Sequence, residues 1–373
     1  MAARIRIGTC SWADDSLVKY WYPPGMRSGE ERLRYYAQHF DTVEANSTYY
    51  RLPEESMVAN WAERVPDGFV MHVKAFGMMT RHPVKADVLP PDLREGAPAD
   101  ERGRVDRPPR ELRAEVFARF HAALEPLRAA GKLGGILLQF PSYIVCKPYS
   151  FEYLEWAKEQ LRGDHMLVEF RHRSWMDDEN RERVLAFLEG LGATHVIVDA
   201  PKTEAKNLVP TVVALTSSTG YVRLHGRNAK TWNVRGKSAA ERFDYLYSED
   251  ELREWTEPLE ELAEAAGEVP VSGPPVELPA GGSGLRFAPA RRASRCGSKL
   301  GAVTRATSLE AAGADGSAPA SFEGEKRTTG AVATSANAPV TASRPITGIT
   351  ARVKRLLMDS SSPFGTRLPL VEF

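Results

Sequence analysis

Short apolar runs recur along the first 270 residues of the chain, and each of the five central runs ends in a polar residue. These polar residues stand 30, 65, 30 and 30 positions apart: Glu44, Lys74, Gln139, Glu169 and Asp199. Two further runs, at residues 5–9 and 221–225, flank the series. A parallel strand with its return helix and loops takes about 30 residues, and about 250 residues close eight such units into a barrel. The pattern therefore predicts an α/β fold, a TIM-type (β/α)8 barrel with seven strands clear in the sequence.

Segments with helical periodicity fill the intervals between the strands. They cover the ranges 30–40, 56–65, 110–127, 151–161, 177–191 and 249–266. Two stretches lack this periodicity. A loop insertion at residues 87–109 follows the strand that ends at Lys74, and it is either a lid over the active face or a surface loop without a role. Residues 202–219 stand where a regular sixth helix is expected.

The composition is typical of a soluble protein with a sizeable core, since 42% of the residues are apolar. No run approaches the roughly 20 apolar residues that span a bilayer. The chain leads directly into a strand, which leaves no room for a signal peptide, so we expect a cytoplasmic location. Cys10, Cys146 and Cys296 lie far apart and indicate neither a disulfide framework nor a zinc site. We expect Cys10 to be a small core residue.

Charge and aromatic content divide the chain near residue 270. The 49 basic and 49 acidic residues give a net charge of zero, but residues 1–270 hold 36 basic and 42 acidic side chains, and residues 271–373 hold 13 and 7. All 7 tryptophans and all 12 tyrosines precede residue 256. The remaining segment, dominated by small and polar residues, cannot bury enough apolar surface to offset its chain entropy. We therefore predict a barrel domain at residues 1–270 and a low-complexity, disordered tail at residues 271–373.

Several local strings resemble a known family. They are IGTCSW at 7–12, YYAQHFDTVEANSTYYR at 35–51, LQFP at 138–141, VEFRHRSW at 168–175 and YVRLHGR at 221–227. In this order they resemble the YecE-like family, also called domain of unknown function 72, over about residues 5–266. The resemblance implies a single (β/α)8 barrel in a bacterial or archaeal type of protein, and it implies no settled activity.

The resemblance also implies an eighth strand soon after residue 266, ending in an aromatic residue and paired asparagines and followed by a final helix. This chain begins such a strand at residues 268–271 and then continues with Ser-Gly-Pro-Pro at 272–275. We therefore expect the eighth strand and last helix to be missing or altered, which leaves the barrel open between the first and seventh strands. Two explanations stand: a frameshift near codon 270, which we favour because it also explains the missing unit, and a native tail.

Charged residues mark the strand ends, and in such barrels the C-terminal strand ends form the active face. Because side chains at i and i+2 share a face of a strand, Glu169 and Arg171 should both point into the barrel mouth, as should Arg223 and His225. We predict catalytic roles for Glu169, Asp199, His225 and Glu44. We predict substrate contacts for Lys74, Arg171, Arg223, Asn46, Tyr50, Gln139 and Trp175. Lys74, Arg171 and Arg223 would bring three positive charges to one rim, which suits an anionic ligand such as a phosphate or a carboxylate.

Several of these residues also have a purely structural interpretation. Glu169 and Arg171 would then form a buried ion pair that braces the barrel. His225 would be a hydrogen-bonded structural histidine, and Trp175 would pack in the core. The sequence alone leaves both interpretations open.

The sequence favours an enzyme that acts on a small anionic or polyhydroxy substrate. Glu169 or Asp199 would be the base, His225 the acid or base, and the cations electrostatic clamps. By analogy of fold alone, the reaction would be a hydrolysis or an isomerisation. The alternative is a non-catalytic barrel that binds nucleic acid or a phosphorylated ligand, although the net acidic barrel part does not favour nucleic acid. We expect no cofactor, and a divalent metal held by Glu44, Glu169, Asp199 and His225 is the alternative.

Overall fold

Eight strands form one parallel sheet that curves into a barrel. The computed structural model describes residues 4–232 and 245–273. The strands are β1 (Arg4–Thr9), β2 (Thr42–Ala45), β3 (Val70–Lys74), β4 (Val84–Lys85), β5 (Arg104–Val105), β6 (Leu133–Gln139), β7 (Met166–Glu169), β8 (Thr194–Asp199), β9 (Tyr221–Leu224) and β10 (Glu268–Gly273). Within these residues the sheet has eight strands in the hydrogen-bonded order β1-β10-β9-β8-β7-β6-β3-β2. The predicted TIM-type architecture is confirmed.

The eighth strand is present, so the expected gap between the first and seventh strands is wrong. β10 pairs with β1 from Arg4↔Glu268 to Thr9↔Gly273, and it pairs with β9 at Ser272↔Arg223. Its apolar side chains are buried against the last helix, and Arg6 donates to Glu268 Oε1 at 2.7 Å across the pair. These contacts are made by the six residues of β10 themselves, so they do not depend on the composition of the segment after residue 273.

The strand β10 runs three residues into the segment predicted to be a tail. Residues 274–373, including the expected final helix and most of the predicted disordered tail, lie outside the described residues. The choice between a frameshift and a native tail therefore stays a prediction.

Side chains join β1 to β2, the two ends of the hydrogen-bonded order. The hydroxyl of Tyr36 accepts from the Thr9 backbone N–H at 2.7 Å and donates to the Thr42 carbonyl at 3.2 Å. Asp41 Oδ1 accepts from the Ile7 backbone N–H at 3.2 Å. A Cβ on Gly8 would lie 2.2 Å from the Thr42 carbonyl oxygen, so this close approach of the two strands requires a glycine.

Helices follow the strands as predicted, with shifted boundaries. They are α1 (Gly29–Tyr36), α2 (Glu55–Arg64), α3 (Pro91–Arg94), α4 (Arg110–Ala123), α5 (Glu125–Ala129), α6 (Pro148–Gln160), α7 (Arg181–Leu191), α8 (Ala229–Trp232), α9 (Glu249–Arg253) and α10 (Thr256–Ala265). The helix expected at 110–127 is divided at Leu124, and the next helix begins at Glu125 with Pro126 in its first turn. The irregular stretch at 202–219 contains no helix, in agreement with the sequence.

The insertion after β3 has structure of its own. Its strand β5 forms a short antiparallel pair with β4, which lies just before residue 87, through Val84↔Val105. Leu89 and Val105 are buried in the same core as the barrel strands. The segment is therefore anchored to the barrel, and its role as a lid stays a prediction.

The side chains that point into the barrel change from apolar to charged along its axis. An apolar cluster fills the middle of the barrel, formed mainly by Leu137, Leu167, Val196, Val198 and Tyr221. Two positions further along their strands, and therefore on the same inward face, lie Gln139, Glu169 and Arg223. The polar strand ends are thus held above a packed apolar floor.

Candidate functional site

A buried ion network lies at the C-terminal ends of the strands, centred on Arg223 of β9. Arg223 Nε and Nη2 donate to the two carboxylate oxygens of Glu44 at 2.9 and 2.7 Å, and Nη1 donates to Glu169 Oε2. Both glutamate side chains are fully buried, and Arg223 retains only 4% exposure. One guanidinium group thus joins β2, β7 and β9 across the barrel interior.

The charges of this network determine the protonation of its members. Burial alone would raise the pKa of Glu169, but Arg223, His225 and Arg171 hold it well below the usual range of a glutamate. Burial would likewise lower the pKa of Arg223, but Glu169 and Glu44 hold it well above its usual value. Arg223 and Glu169 are therefore ionised at neutral pH.

Three longer side chains extend the network towards solvent. Arg171 Nη1 donates to Glu169 Oε1 at 3.1 Å, and Gln139 Nε2 donates to the same oxygen at 2.9 Å. Lys74 Nζ donates to Gln139 Oε1 at 2.9 Å. The Arg171 side chain is 21% exposed and lies 5.2 Å from the centre of the Trp232 ring. Arg171 and half-buried Lys74 are thus less buried than Arg223 at the centre of the network.

His225 lies inside the network. Its Nε2 is 3.1 Å from Glu169 Oε1, 3.2 Å from Arg223 Nη1 and 3.5 Å from Arg171 Nη1. Burial lowers the pKa of His225 to about 4, although the charge of Glu169 acts to raise it. The imidazole is therefore neutral at pH 7, and its predicted role as an acid or base stays a prediction.

Lys74 differs from the two arginines because the direct contacts of its amine are with neutral groups. Besides the Gln139 amide oxygen, the ring of Tyr49 lies beneath Nζ, with its centre 4.6 Å away. Burial and the positive charge of Arg223 lower the pKa of Lys74 to about 8, although Glu44 and Glu169 act in the opposite direction. A substantial fraction of this amine is therefore neutral near pH 8.

Four residues join the site that the sequence did not single out for it. Tyr221 Oη donates to Glu44 Oε2 at 3.0 Å, and Ser272 Oγ donates to the same oxygen at 3.5 Å. Cys10 Sγ accepts from Arg223 Nη2 at 3.4 Å, and burial raises the pKa of its thiol to about 11. Tyr49 is the fourth. The sequence could have placed Tyr221 in the site, because Tyr221 is two positions before Arg223 on the same strand. The positions of Ser272 and Cys10 depend on the pairing of β10 with β1, which the local sequence does not show.

Asp199 does not share the mouth with Glu169, so the expectation that it opens into the same cavity is wrong. Asp199 pairs with Leu224, while Arg223 pairs with Val198, so Asp199 points away from the barrel axis. Its carboxylate accepts from Arg227 Nε at 2.9 Å and from Tyr247 Oη at 2.6 Å. Asp199 therefore anchors the segment after β9 on the outer face of the barrel.

Two predicted substrate contacts also lie elsewhere. Trp175 is fully buried, stacks on Phe170 with ring centres 4.0 Å apart, and donates from Nε1 to the Ile144 carbonyl at 2.7 Å. It is a core residue. Tyr50 is 64% exposed and contacts Tyr49 edge to face, so Tyr49 rather than Tyr50 faces Lys74.

Asn46 lies at the edge of the mouth and links two loops. Its Nδ2 donates to the Cys10 carbonyl at 2.7 Å, while its Oδ1 is buried and has no hydrogen-bond partner among the described residues. The predicted contact of Asn46 with a ligand stays a prediction.

The described residues contain no group of three or more His, Cys, Asp or Glu side chains that could hold a metal ion. Arg223 occupies the space between Glu44 and Glu169, and Asp199 faces the other side of β8. The four side chains considered as metal ligands from the sequence therefore do not converge.

A separate cleft of about 470 Å³ opens at the N-terminal ends of β6 and β7. In it, the Asp164 carboxylate accepts from Arg128 Nε at 2.9 Å and lies 3.0 Å from His121 Nδ1. This cleft is at the end of the barrel opposite the Arg223 network.

The family of the chain follows from a comparison with known proteins. The model of the family described as "Protein of unknown function DUF72" matches residues 6–272, from the first strand to the last. The chain belongs to the DUF72 family. The match covers β10, so the eighth strand falls within the family domain.

The relatives of this DUF72 protein are bacterial. It is 31% identical over 269 residues to the UPF0759 protein YunF of Bacillus subtilis, a match that covers 71% of this chain and 86% of YunF. It is 27% identical over 233 residues to the UPF0759 protein YecE of Escherichia coli, covering 58% of this chain and 75% of YecE.

Crystal structures of other family members have the same fold. A DUF72 protein of Thermotoga maritima is similar with a TM-score of 0.57 and 30% identity, covering 72% of this chain and 92% of that one. One from Enterococcus faecalis has a TM-score of 0.59 and 24% identity, covering 73% of this chain and 89% of that one, and it bears on the fold alone. No helix among the described residues has the length and apolar character needed to cross a membrane.

Proposed function

We propose that the protein is an enzyme that binds a small anionic substrate, such as a polyhydroxy compound with a carboxylate or phosphate group, at the C-terminal mouth of the barrel. One observation carries this proposal. Partly exposed Arg171 and half-buried Lys74 lie at the edge of a network whose buried carboxylates are already paired with Arg223.

The charge balance of the mouth favours an anion. Glu44 and Glu169 supply two negative charges, while Arg171, Arg223 and protonated Lys74 supply three positive ones. With His225 neutral, the mouth has an excess of one positive charge. A carboxylate or phosphate bound between Arg171 and Lys74 would balance it, and a guanidinium group can contact such an anion through two N–H groups.

Glu169 is suited to positioning rather than to proton abstraction. Its carboxylate accepts from Arg223, Arg171 and Gln139, and these donors stabilise the ionised form and reduce its basicity. Glu169 would fix the direction of the Arg171 guanidinium. The groups left for chemistry at the mouth are the Lys74 amine and His225.

Thermal unfolding in the presence of anions tests this proposal. We expect inorganic phosphate and sugar phosphates to raise the Tm of the full chain at low ionic strength, since a ligand of the native state stabilises it. Arg171→Gln should abolish the shift. Arg173→Gln is the matched control. Arg173 lies two residues after Arg171 in the sequence, and it forms an exposed ion pair with Glu204. An equal loss in both variants, or no response to any anion, would contradict the proposal. Retention of oligonucleotides at moderate salt that depends on Arg171 would favour the nucleic-acid alternative instead.

A further inference from the structure

Lys74 has the surroundings of a nucleophile rather than those of a structural cation. Its Nζ is held by an amide oxygen, that of Gln139, and by the face of Tyr49. Arg171 and Arg223 each form ion pairs with buried carboxylates, whereas Lys74 forms no such pair among residues 4–232 and 245–273. The ammonium form therefore gains less from its neighbours than either guanidinium does.

The charged and titratable groups around Lys74 come from several strands. Arg223 and burial disfavour the ammonium form, and Glu44 and Glu169 favour it without outweighing them, which leaves the pKa at about 8. Lys74 also lowers the pKa of the neighbouring His82, together with burial, to about 3, so His82 adds no positive charge nearby. At pH 7.5 about a quarter of the Lys74 amine would be neutral, against about one part in a thousand for an ordinary lysine.

We propose that Lys74 forms an imine with the carbonyl carbon of an aldehyde or ketone substrate whose anionic group is held by Arg171. This rests on the proposed function and names the substrate class. A desolvated lysine beside another cation is an established way to obtain a nucleophilic amine. Lys74 is half-buried at the C-terminal end of β3, so a carbonyl compound would approach it from the barrel mouth.

The step balances without any further reactant. The nitrogen lone pair of the neutral amine forms a C–N bond, and the electron pair of the carbonyl π bond moves to oxygen. A proton passes from nitrogen to that oxygen, giving a carbinolamine. A second proton transfer and loss of water give the imine, so amine and carbonyl compound yield imine and one water. Protonation of the imine nitrogen then makes the adjacent carbon–hydrogen bond more acidic, as isomerisation would require. The same iminium group could instead accept the electron pair released when a neighbouring carbon–carbon bond breaks, giving an enamine.

Reductive trapping tests the inference on the full-length protein. Glyceraldehyde 3-phosphate and pyruvate serve as anionic probes, with sodium cyanoborohydride to reduce any imine to a stable amine. Peptide mass spectrometry should find the adduct on Lys74 at least ten-fold above exposed Lys85 and buried Lys132, whose amine donates to the Ala62 and Val65 carbonyls. Adducts spread over the lysines in proportion to exposure would overturn the inference.

Two variants and one titration separate this inference from the proposed function. Arg171→Gln should reduce trapping about ten-fold, and Arg173→Gln should leave it unchanged. Competitive acetylation of the wild-type protein should give Lys74 a midpoint near pH 8, and a midpoint near 10 would overturn the inference. If phosphate still raises the Tm while no adduct forms on Lys74, the imine is wrong and the anion site remains. If neither is observed, both proposals fail.

Discussion

Replacing Arg223 by methionine removes the one cation among the described residues that contacts both buried glutamates. In the native protein this guanidinium makes three hydrogen bonds to Glu44 and Glu169, whose side chains have no exposure. Methionine replaces the aliphatic part of arginine but has no guanidinium group, so Arg223→Met leaves two buried carboxylates without their shared cation. Gln139 and Arg171 still donate to Glu169, and Tyr221 still donates to Glu44.

The expected cost is large because the remaining charges stay buried. Removing one partner of a buried ion pair typically destabilises a protein by about 3–5 kcal/mol. The loss should depend on pH. In the variant, mutual repulsion and burial raise the pKa of one carboxyl above its value in the unfolded chain, so protonation stabilises the folded state as the pH falls. In the wild type the pKa of Glu169 is depressed, so stability falls with decreasing pH. The difference between the two proteins should therefore be largest at pH 7–8 and should shrink by about half at pH 5.

Urea unfolding followed by tryptophan fluorescence measures this difference. At pH 7.5 we expect the midpoint to fall by about 1–2 M, given slopes of about 2–3 kcal/mol per M for a domain of this size. Arg173→Met is the control and should change stability by less than about 1 kcal/mol, since its ion pair is exposed. Glu44→Gln combined with Arg223→Met should recover part of the loss, because it removes one of the two repelling charges. A loss below about 1 kcal/mol, or one that is the same at pH 5 and pH 7.5, would refute the reasoning.

Three further predictions concern the closure of the barrel, Asp199 and acid stability. Gly8→Ala should lower the Tm by at least about 5 °C, because the added Cβ would overlap the Thr42 carbonyl. Gly29→Ala is the control, since there is open space around its Cβ, and equal effects of the two substitutions would contradict the prediction. Asp199→Asn should lower the free energy of unfolding by about 1–3 kcal/mol and leave the Tm response to phosphate intact. Loss of that response would show that Asp199 contributes to the anion site, contrary to this prediction. Below the unfolded-state pKa of about 6.5, stability should decrease steeply, by about 1.4 kcal/mol per pH unit for each histidine that stays neutral when buried. This decrease should continue until the pH reaches the folded-state pKa, which is about 4 for His195 and His225 and about 3 for His72 and His82. A flat profile from pH 6.5 to 4.5 in urea titrations would contradict this last expectation.

The fold could be predicted because the spacing of the strands survives in the sequence, but the direction of each side chain could not. Glu169 and Asp199 both end an apolar run, and only Glu169 points inward. Strands of a parallel sheet are buried on both faces, so their apolar runs do not show which residues face the axis. Hydrogen-bonded pairing with the next strand decides this: Glu169 lies beside Gln139, whereas Asp199 lies beside Leu224.

Residues in the loops were harder still to place. Trp175 and Tyr49 both lie in short 3-10 turns after strands, where no hydrophobic period distinguishes a core position from a position at the mouth. In the structure, Trp175 packs in the core against Phe170, and the Tyr49 ring faces Lys74. Tertiary contacts, absent from any local pattern, decided both cases.

The eighth strand shows how closure of the barrel and assembly of the site depend on the same few residues. The composition around residue 270 suggested that the barrel ends before an eighth strand can form. In the structure, Val269 and Val271 form the buried face of this strand, and Arg6 donates to Glu268 at its N-terminal end. Because β10 is in register with β9, Ser272 lies beside Arg223 and reaches Glu44. Without β10, the outer edge of β9 would be exposed and the Arg223 guanidinium would be open to water, which weakens an ion pair that depends on a low dielectric environment. The charge network therefore requires β10, which fills the gap between β1 and β9.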